Sequence, residues 1–296
     1  MNVMTLAPAR PVVVRPQTKG YWRKVAQRVG RDPTALVCLV ILLAIILVAI
    51  FAPWLSPDDP YKTSMLRRLK PPLTPGHILG TDELGRDMLA RLIYGGRVSM
   101  VMGLAPVAVA TLIGGALGIC AGYFGRWVNG LIMRIVDVFY AFPSVLLAVA
   151  MAGALGAGIA NSLISLTLVF IPPIARVAES VTTQLRNQDF VEAARATGAS
   201  AGRIIVEHLL ANVTGPILTY ASSLVSVAII IASGLSFLGL GASPPTADWG
   251  LMLNTLRQAI YVAPLNAVMP GVMIFAASVS FNLLSDSLRS AMDVKA

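Results

Sequence analysis

The sequence predicts an all-α integral membrane protein with six transmembrane helices. Of its 296 residues, 56% are hydrophobic and only 12% are charged, whereas a soluble domain carries about 25% charged residues. The mean hydropathy is +0.75. So few charged groups could not cover the surface of a water-soluble fold of this size. The predicted surroundings of most of the chain are therefore lipid.

The intervals without charged residues predict where the chain crosses the bilayer, because about 20 apolar residues span the hydrocarbon. Five such intervals occur: 33–57, 98–125, 138–175, 209–247 and 258–285. The third is too long for one helix and holds a glycine-rich stretch at 153–161, which suits a turn between two helices. We therefore expect six helices, near 34–54, 97–122, 131–153, 158–178, 214–238 and 266–286.

The distribution of Lys and Arg predicts the orientation. An even number of helices places both termini on one side, and that side holds 15 of the 23 positive residues. The positive-inside rule makes it cytoplasmic. The expected organisation is a cytoplasmic arm (1–33), a first transmembrane helix (34–54), an extracytoplasmic segment (55–96), a core membrane unit (97–286) and a cytoplasmic tail (287–296).

The polar loop at 179–213 predicts a helix, a glycine and a second helix. Asp189 and Glu192 have the spacing of a capping box, an Ala-rich run follows, and Gly198 is placed to end the helix in a left-handed cap. Ser200 can start the next helix. The small side chains behind Phe190 suit docking into a groove of another protein. The alternative is an interfacial amphipathic loop without a partner.

The extracytoplasmic segment predicts a second amphipathic helix. Thr81 can cap it, leucine and methionine side chains gather on one face, and the charged residues fall on the other face. Gly95 and Gly96 are expected to end it. Two interpretations remain open: a helix on the membrane surface with a solvated charged face, or a docking surface for an extracytoplasmic partner. The loop around Trp249 is likewise either an interfacial turn or an outer gate.

Several motifs in order resemble one family. Glu192-Ala193-Ala194 with Gly198 resembles the EAA loop of ABC importer permeases. The segments 77–97, 142–148, 235–250 and 270–286 resemble the dipeptide/oligopeptide/nickel branch of that family, specifically its C-type permease. Together they cover roughly residues 75–290. The chain departs from the family at Ala211, where a proline is usual.

The resemblance implies a type I importer permease fold in a bacterial inner membrane, with the permease domain at 97–286. It implies that the 179–213 loop couples to ATPase subunits through Asp189, Phe190, Glu192, Ala193, Ala194 and Gly198. A gate or receptor contact on the other side would involve Thr81, Asp82, Gly85, Arg86, Asp87 and Trp249. The implied partners are a second homologous permease subunit, two ATP-binding subunits, a solute-binding protein and membrane lipid, but no nucleic acid.

The implied cargo is a peptide; a nickel complex or another small solute is the alternative. The chain contains no Gly-x4-Gly-Lys-Ser/Thr motif, so we expect ATP and Mg²⁺ only in partner subunits and no cofactor here. His77 and His208 fall on opposite sides in the predicted topology, which excludes a metal site shared between them. We therefore predict no catalytic and no metal-binding residues, and a transport subunit rather than an enzyme.

Two other classes of protein fit the sequence less well. A secondary carrier needs coupling carboxylates within the membrane, and these are scarce. A structural or assembly subunit has no reason to combine a docking loop with an outer amphipathic segment. Arg134 and Asp137, at i and i+3, are interpreted as a local ion pair, with substrate or partner contact as the alternative. The residues that line the substrate pathway are not assigned.

Overall fold

The computed structural model describes residues 21–56 and 58–292, and within them it contains helices and turns but no β-strand. The predicted basic residues Arg10, Arg15 and Lys19 and the end of the tail, including Lys295, lie outside the described residues. The helices are α1 (Tyr21–Val29), α2 (Pro33–Ile50), α3 (Ala52–Leu55), α4 (Met88–Phe124), α5 (Arg126–Tyr140), α6 (Ser144–Leu155), α7 (Ile159–Arg186), α8 (Asp189–Ala196), α9 (Ala201–Arg203), α10 (Leu210–Phe237), α11 (Trp249–Leu256) and α12 (Pro264–Met292).

Five helical segments in the described residues are long and apolar enough to cross a membrane. They are α2, α4, α7, the continuous segment Ala201–Phe237 and α12. The pair α5 and α6 also passes this test when joined, but it bends by 88°. The all-helical membrane fold is confirmed. The expectation of a single helix over 131–153 is wrong, because Pro143 provides no backbone N–H and α6 begins only after it.

The largest helix contact joins α4 to α7 along a row of glycines. A methyl group on Gly114 would meet the backbone at Ala175, one on Gly118 would lie 2.6 Å from the Ala178 Cβ, and one on Gly122 would lie 2.7 Å from the Thr182 Cβ. Residue numbers rise together on both helices, so α4 and α7 run in the same direction. Close approach through small residues is a common way to pack helices in lipid, where apolar burial gives no driving force.

The two described ends of the chain pack against each other. Arg28 of α1 donates to the backbone carbonyl of Ala291 in α12 at 3.4 Å. The Ser287 hydroxyl donates to the carboxylate of Asp32, the residue that caps α2. That hydrogen bond, opposed by desolvation, lowers the pKa of Asp32 below its ordinary value. The start of α2 and the end of α12 therefore lie at the same end of the bundle.

Helix α4 begins earlier and continues further than the sequence pattern predicts. Its cap is Asp87, whose carboxylate accepts the Ala90 N–H at 2.7 Å, and the helix passes through Gly95 and Gly96 without interruption. The prediction that these glycines end a separate surface helix is wrong. A methyl group on Gly95 would lie 3.0 Å from the Trp249 ring, and one on Gly96 would lie 3.2 Å from it. The Trp249 indole packs against the backbone at these two positions, which leaves little room for a side chain.

Candidate functional site

Helix α8 connects the end of α7 to the segment Ala201–Phe237. Its N-cap is Gln188, which makes no side-chain capping hydrogen bond, so the predicted capping box of Asp189 and Glu192 is wrong. Both carboxylates instead lie within the first turn of the helix. Negative charges there interact favourably with the positive end of the helix dipole. The acidic residues stabilise the start of α8 without a direct hydrogen bond to it.

Gly198 ends α8 as the sequence predicts. Its φ is +81°, in the left-handed region. The Gly198 N–H donates to Arg195 O at 3.0 Å, and the Ala199 N–H donates to Ala194 O at 3.1 Å. This pair of hydrogen bonds defines a Schellman motif, which favours glycine at the left-handed position. Ser200 then caps the next helix, with its hydroxyl accepting the Arg203 N–H at 3.4 Å. The predicted order of helix, glycine and helix is present.

Helix α8 turns one side inward and leaves the other free. Val191 and Ala194 are buried, and Phe190 is half-buried against the hydrophobic core. The exposed face carries Asp189, Glu192, Ala193 and Arg195, and Gly198 beyond it is also exposed. We call these five residues the α8 face. It combines small and charged groups, which suits contact with a protein surface more than contact with lipid tails.

The α8 face is held at a fixed position relative to the bundle. The Arg195 guanidinium lies over the Tyr123 ring, 5.6 Å from its centroid, near the end of α4. Arg186 at the end of α7 donates to the Gly122 carbonyl at 3.0 Å. On the other side the segment Ala201–Phe237 continues through a π-helical stretch at Ile204–Leu209. The helix is unbroken at Ala211, so the segment after α8 is one continuous helix from Ala201 to Phe237.

A buried ion cluster lies at the opposite end of α4. It consists of Asp82, Glu83, Arg86 and Arg91. Asp82 Oδ2 lies 2.6 Å from Arg86 Nε and 3.3 Å from Arg91 Nε. Asp82 Oδ1 accepts the backbone N–H groups of Leu84 and Arg86, both at 2.9 Å. Asp82 and Arg91 are each only 1% exposed, so their charges balance inside the protein and not against water.

The buried ion cluster joins three distant parts of the chain. Arg91 Nη1 donates to Pro60 O at 3.3 Å, and Arg91 Nη2 donates to Thr246 O at 3.4 Å. Asn266 at the start of α12 donates to Thr81 O at 2.8 Å. The segment before α4, the loop before α11 and the start of α12 therefore form one rigid assembly.

Trp249 locks this assembly to α4. Its indole N–H donates to Leu92 O at 2.9 Å, and its backbone N–H donates to the Ser99 hydroxyl at 3.1 Å. The same hydroxyl donates to Asp248 Oδ1 at 2.7 Å. A packed indole with both N–H groups bonded fixes the loop after residue 244 in one place.

Burial corrects the expectation of a solvated charged face in segment 55–96. Thr81, Asp82, Arg86, Asp87 and Trp249 are all buried. Gly85 is a left-handed turn residue with φ +72°, and a Cβ there would clash with the backbone of Ser64. These six residues were predicted for a gate or receptor contact. Five of them have buried side chains that hold the loops at this end together, and Gly85 permits the close turn beside Ser64.

His77 belongs to the same end of the molecule. Its Nδ1 lies 2.8 Å from Asp87 Oδ2, and its Nε2 lies 3.1 Å from Arg67 Nη1. A carboxylate oxygen of Asp58 lies within 4.8 Å of these ligand atoms, which makes the three residues a possible cation site by spacing. Both ring nitrogens are already hydrogen-bonded, and the guanidinium beside Nε2 repels a cation. The arrangement fits a structural hydrogen-bond chain better than a metal site.

Asp137 near the end of α5 forms an ion pair with Arg176 of α7, and not with Arg134 as the spacing predicts. The Arg176 guanidinium also lies over the Tyr140 ring, 5.3 Å from its centroid. The sequence does not indicate this pair, because Asp137 and Arg176 are 39 residues apart, at the two ends of the charge-free interval 138–175. Only the return of α7 past α5 brings them together.

Comparison with known proteins agrees with the fold and the order of motifs. The family described as "Binding-protein-dependent transport system inner membrane component" matches residues 114–295. The family "N-terminal TM domain of oligopeptide transport permease C" matches residues 20–72. The dipeptide transport system permease protein DppC of Alkalihalophilus pseudofirmus is 41% identical over 93% of this chain and 90% of its own length.

Two further matches extend the comparison. The glutathione transport system permease protein GsiD of Pectobacterium atrosepticum is 38% identical over 96% of this chain and 95% of its own length. Among solved structures, an inward facing form of the MetNI methionine ABC transporter aligns with a TM-score of 0.56 at 18% identity. It covers 69% of this chain and 97% of that chain. At this identity the likeness supports the fold alone.

Proposed function

Because the chain belongs to the family of binding-protein-dependent transport system inner membrane components, the ABC importer permeases, we propose that it forms half of the pathway of an ATP-driven importer of peptides. Its relatives are named for dipeptides and for glutathione, which are both short peptides. A pathway shared with a second, homologous permease subunit fits the exposed apolar faces of α5, α6 and α12. Import by a nickel-complex or other solute transporter of the same design is the alternative.

The observation that carries the proposal is the α8 face. It is a rigid, exposed helix end of small and charged residues, fixed by the Gly198 cap and by Arg195 on Tyr123. Two ATP-binding subunits would each hold one such helix, one from each permease. When they close on ATP, the α8 helices would move toward each other. Helices α7 and Ala201–Phe237 would follow as rigid bodies, which is the kind of motion that alternating access requires.

The orientation follows from this proposal. The end of the bundle with α8 is cytoplasmic, together with both termini, and the end with the buried ion cluster faces the solute-binding protein. ATP and Mg²⁺ are bound by the ATP-binding subunits, and this chain catalyses no reaction. The cluster then keeps the outer loops in one shape while the opposite end moves.

The first test is an affinity isolation of this chain from its native membranes in mild detergent. The wild type is expected to recover a second permease and ATP-binding subunits. Glu192→Arg reverses a charge on the α8 face, and mismatched charges at an interface cost several kcal/mol. Recovery of the ATP-binding subunits is therefore expected to fall about tenfold or more, while recovery of the second permease is unchanged.

The matched control is Arg203→Gln, which alters an exposed charge of the neighbouring helix outside the α8 face. It is expected to recover all subunits at the wild-type level. Isolation of the wild-type chain alone would contradict the importer proposal and favour a secondary carrier. Full recovery of the ATP-binding subunits by Glu192→Arg would place the coupling contact elsewhere in the chain.

A further inference from the structure

The ion pair of Asp137 and Arg176 lies on an exposed face of the chain. The Asp137 side chain is 56% exposed and the Arg176 side chain is 48% exposed. Tyr140, which packs on Arg176, is also exposed. We call these three residues the α5–α7 patch. Val138 and Phe142, which lie beside these residues in the sequence, are apolar and exposed.

The α5–α7 patch lies near the α8 end of the hydrocarbon. Arg176 follows Ala175, whose backbone packs against Gly118 of α4. Gly118 lies seven residues before the end of the charge-free interval 98–125, which is about 10 Å at 1.5 Å per residue. On α7 itself Arg176 lies ten residues before the helix ends at Arg186, or about 15 Å. Arg176 is the first charged residue after the charge-free interval 138–175, so the ion pair lies within the helical bundle, near the α8 end of its apolar part.

An exposed ion pair at this depth does not face lipid tails. Charged side chains within the membrane are costly, and they turn toward the bundle interior or toward a water-filled cavity. Within the described residues the pair is half-covered by its own chain. The uncovered half must therefore be in contact with water or with another protein. In a permease built from two subunits, a water-filled cavity between them is the transport pathway.

We propose that the α5–α7 patch lines the pathway and binds the two charged termini of a peptide in transit. The inference rests on the proposed function. The Asp137 carboxylate would receive the peptide ammonium group, and the Arg176 guanidinium would receive the peptide carboxylate. No covalent bond changes. Tyr140, held against Arg176, would keep the guanidinium aimed at the pathway while its partner is exchanged.

Charge balance makes this exchange inexpensive. In the empty pathway Asp137 and Arg176 neutralise each other, and with a zwitterionic peptide bound each has a new partner of opposite charge. Net charge at the site is zero before and after, so no uncompensated ion is left beside the apolar part of the bundle. Arg forms bidentate hydrogen bonds with a carboxylate, which gives directional but reversible contact. A passing substrate requires exchangeable binding, and competition of Asp137 for Arg176 would provide it.

The first measurement tests whether water and substrate reach the patch. In a background of Cys38→Ala and Cys120→Ala, Asp137→Cys is treated with a membrane-impermeant cationic thiol reagent in the assembled transporter. We expect labelling, slowed by a dipeptide with free termini. The control is Leu112→Cys, an exposed apolar position on α4, which should stay unlabelled in lipid. If Asp137→Cys reacts no faster than Leu112→Cys, the patch is covered by lipid or by a subunit and the proposal is wrong.

The second measurement separates substrate binding from a structural ion pair. The double variant Asp137→Asn with Arg176→Gln removes both charges, so neither is left unpaired. Uptake of a zwitterionic dipeptide into vesicles is expected to fall about tenfold or more, the value of lost hydrogen bonds to charged groups. Binding-protein-stimulated ATP hydrolysis should persist. Arg134→Gln, one turn earlier on α5 and without an ion pair in the described chain, should keep wild-type uptake.

The outcomes distinguish the two proposals. If the wild-type transporter imports no peptide, the proposed function fails. If the wild type imports peptide and the double variant does so equally well, only the role of the patch is wrong. If the double variant fails to assemble, the ion pair is required for folding or for subunit contact. The labelling of Asp137→Cys then decides whether the pair is also in contact with water.

Discussion

Gly118→Leu is expected to prevent the bundle from forming. A side chain at this position would meet the Ala175 carbonyl, the Ala178 Cβ at 2.6 Å and the Glu179 nitrogen at 2.8 Å. Two of these are backbone atoms of a long helix, which cannot move aside without separating α4 from α7. Overpacking that a core can absorb costs about 1–3 kcal/mol, so the loss here should be ~3 kcal/mol or more. Size-exclusion chromatography of the detergent-solubilised protein measures the outcome.

The control for this prediction is Gly130→Ala on α5, where a Cβ would meet nothing within 4 Å. Because alanine is about 1 kcal/mol more favourable than glycine in a helix interior, this variant should be as stable as the wild type or more so. A monodisperse, folded Gly118→Leu protein would show that α4 and α7 can separate, and that their contact is not the core of the fold.

Asp82→Asn is expected to cause the second large loss. The carboxylate is the shared counter-ion of Arg86 and Arg91, which are both buried. Removing one partner of a buried pair costs about 3–5 kcal/mol, because the remaining charge is left uncompensated. The amide oxygen of asparagine can still accept both backbone hydrogen bonds but carries no charge. The thermal unfolding of purified protein should shift downward by several degrees.

Glu207→Gln is the matched control. Glu207 pairs with Arg203 at 2.9 Å, but both side chains are at least half exposed. An exposed pair of this kind contributes about 0.3–0.5 kcal/mol, so its loss should be barely detectable. Equal effects of the two substitutions would mean that the Asp82 site is hydrated and that its ions are screened by water.

The positions of the membrane helices could be predicted from the sequence because one physical rule dominates them. A charge inside the hydrocarbon is costly, so intervals without charge mark the spans. The same rule does not show how a span bends. The break before Pro143 is visible only once α5 and α6 are seen to meet at 88°. A charge-free interval indicates the length of a membrane span but not whether the helix within it is straight or bent.

The buried ion cluster could not be predicted, because an amphipathic pattern is normally solvated on its charged side. At Asp82, Arg86 and Arg91 the charged side is covered by residues far along the chain, including the loop before Trp249. The prediction that Gly95 and Gly96 end a helix was wrong for the same reason. Their small size fits the indole of Trp249, and a local pattern contains no information about a partner so far along the chain.

The α8 face was more accessible to prediction, since its geometry depends on local rules. Gly198 adopts the left-handed conformation that its position after an Ala-rich helix indicates. The capping box was not formed, because Gln188 and not Asp189 is the cap. That difference moves the start of the helix by one residue and leaves the exposed residues unchanged.

The parallel packing of α4 and α7 along the glycine row also determines how many times the chain crosses the membrane. Two successive long helices that lie side by side in the same direction must start on the same face of the bilayer, so the chain between them has to return through the membrane. Only α5 and α6 lie between them, and the bent pair is therefore a full traverse. The contact of α1 with the end of α12 agrees with this, because an odd number of crossings would separate those ends by the thickness of the bilayer. Within the described residues the number of crossings is then six, the higher of the two counts that length and composition allow.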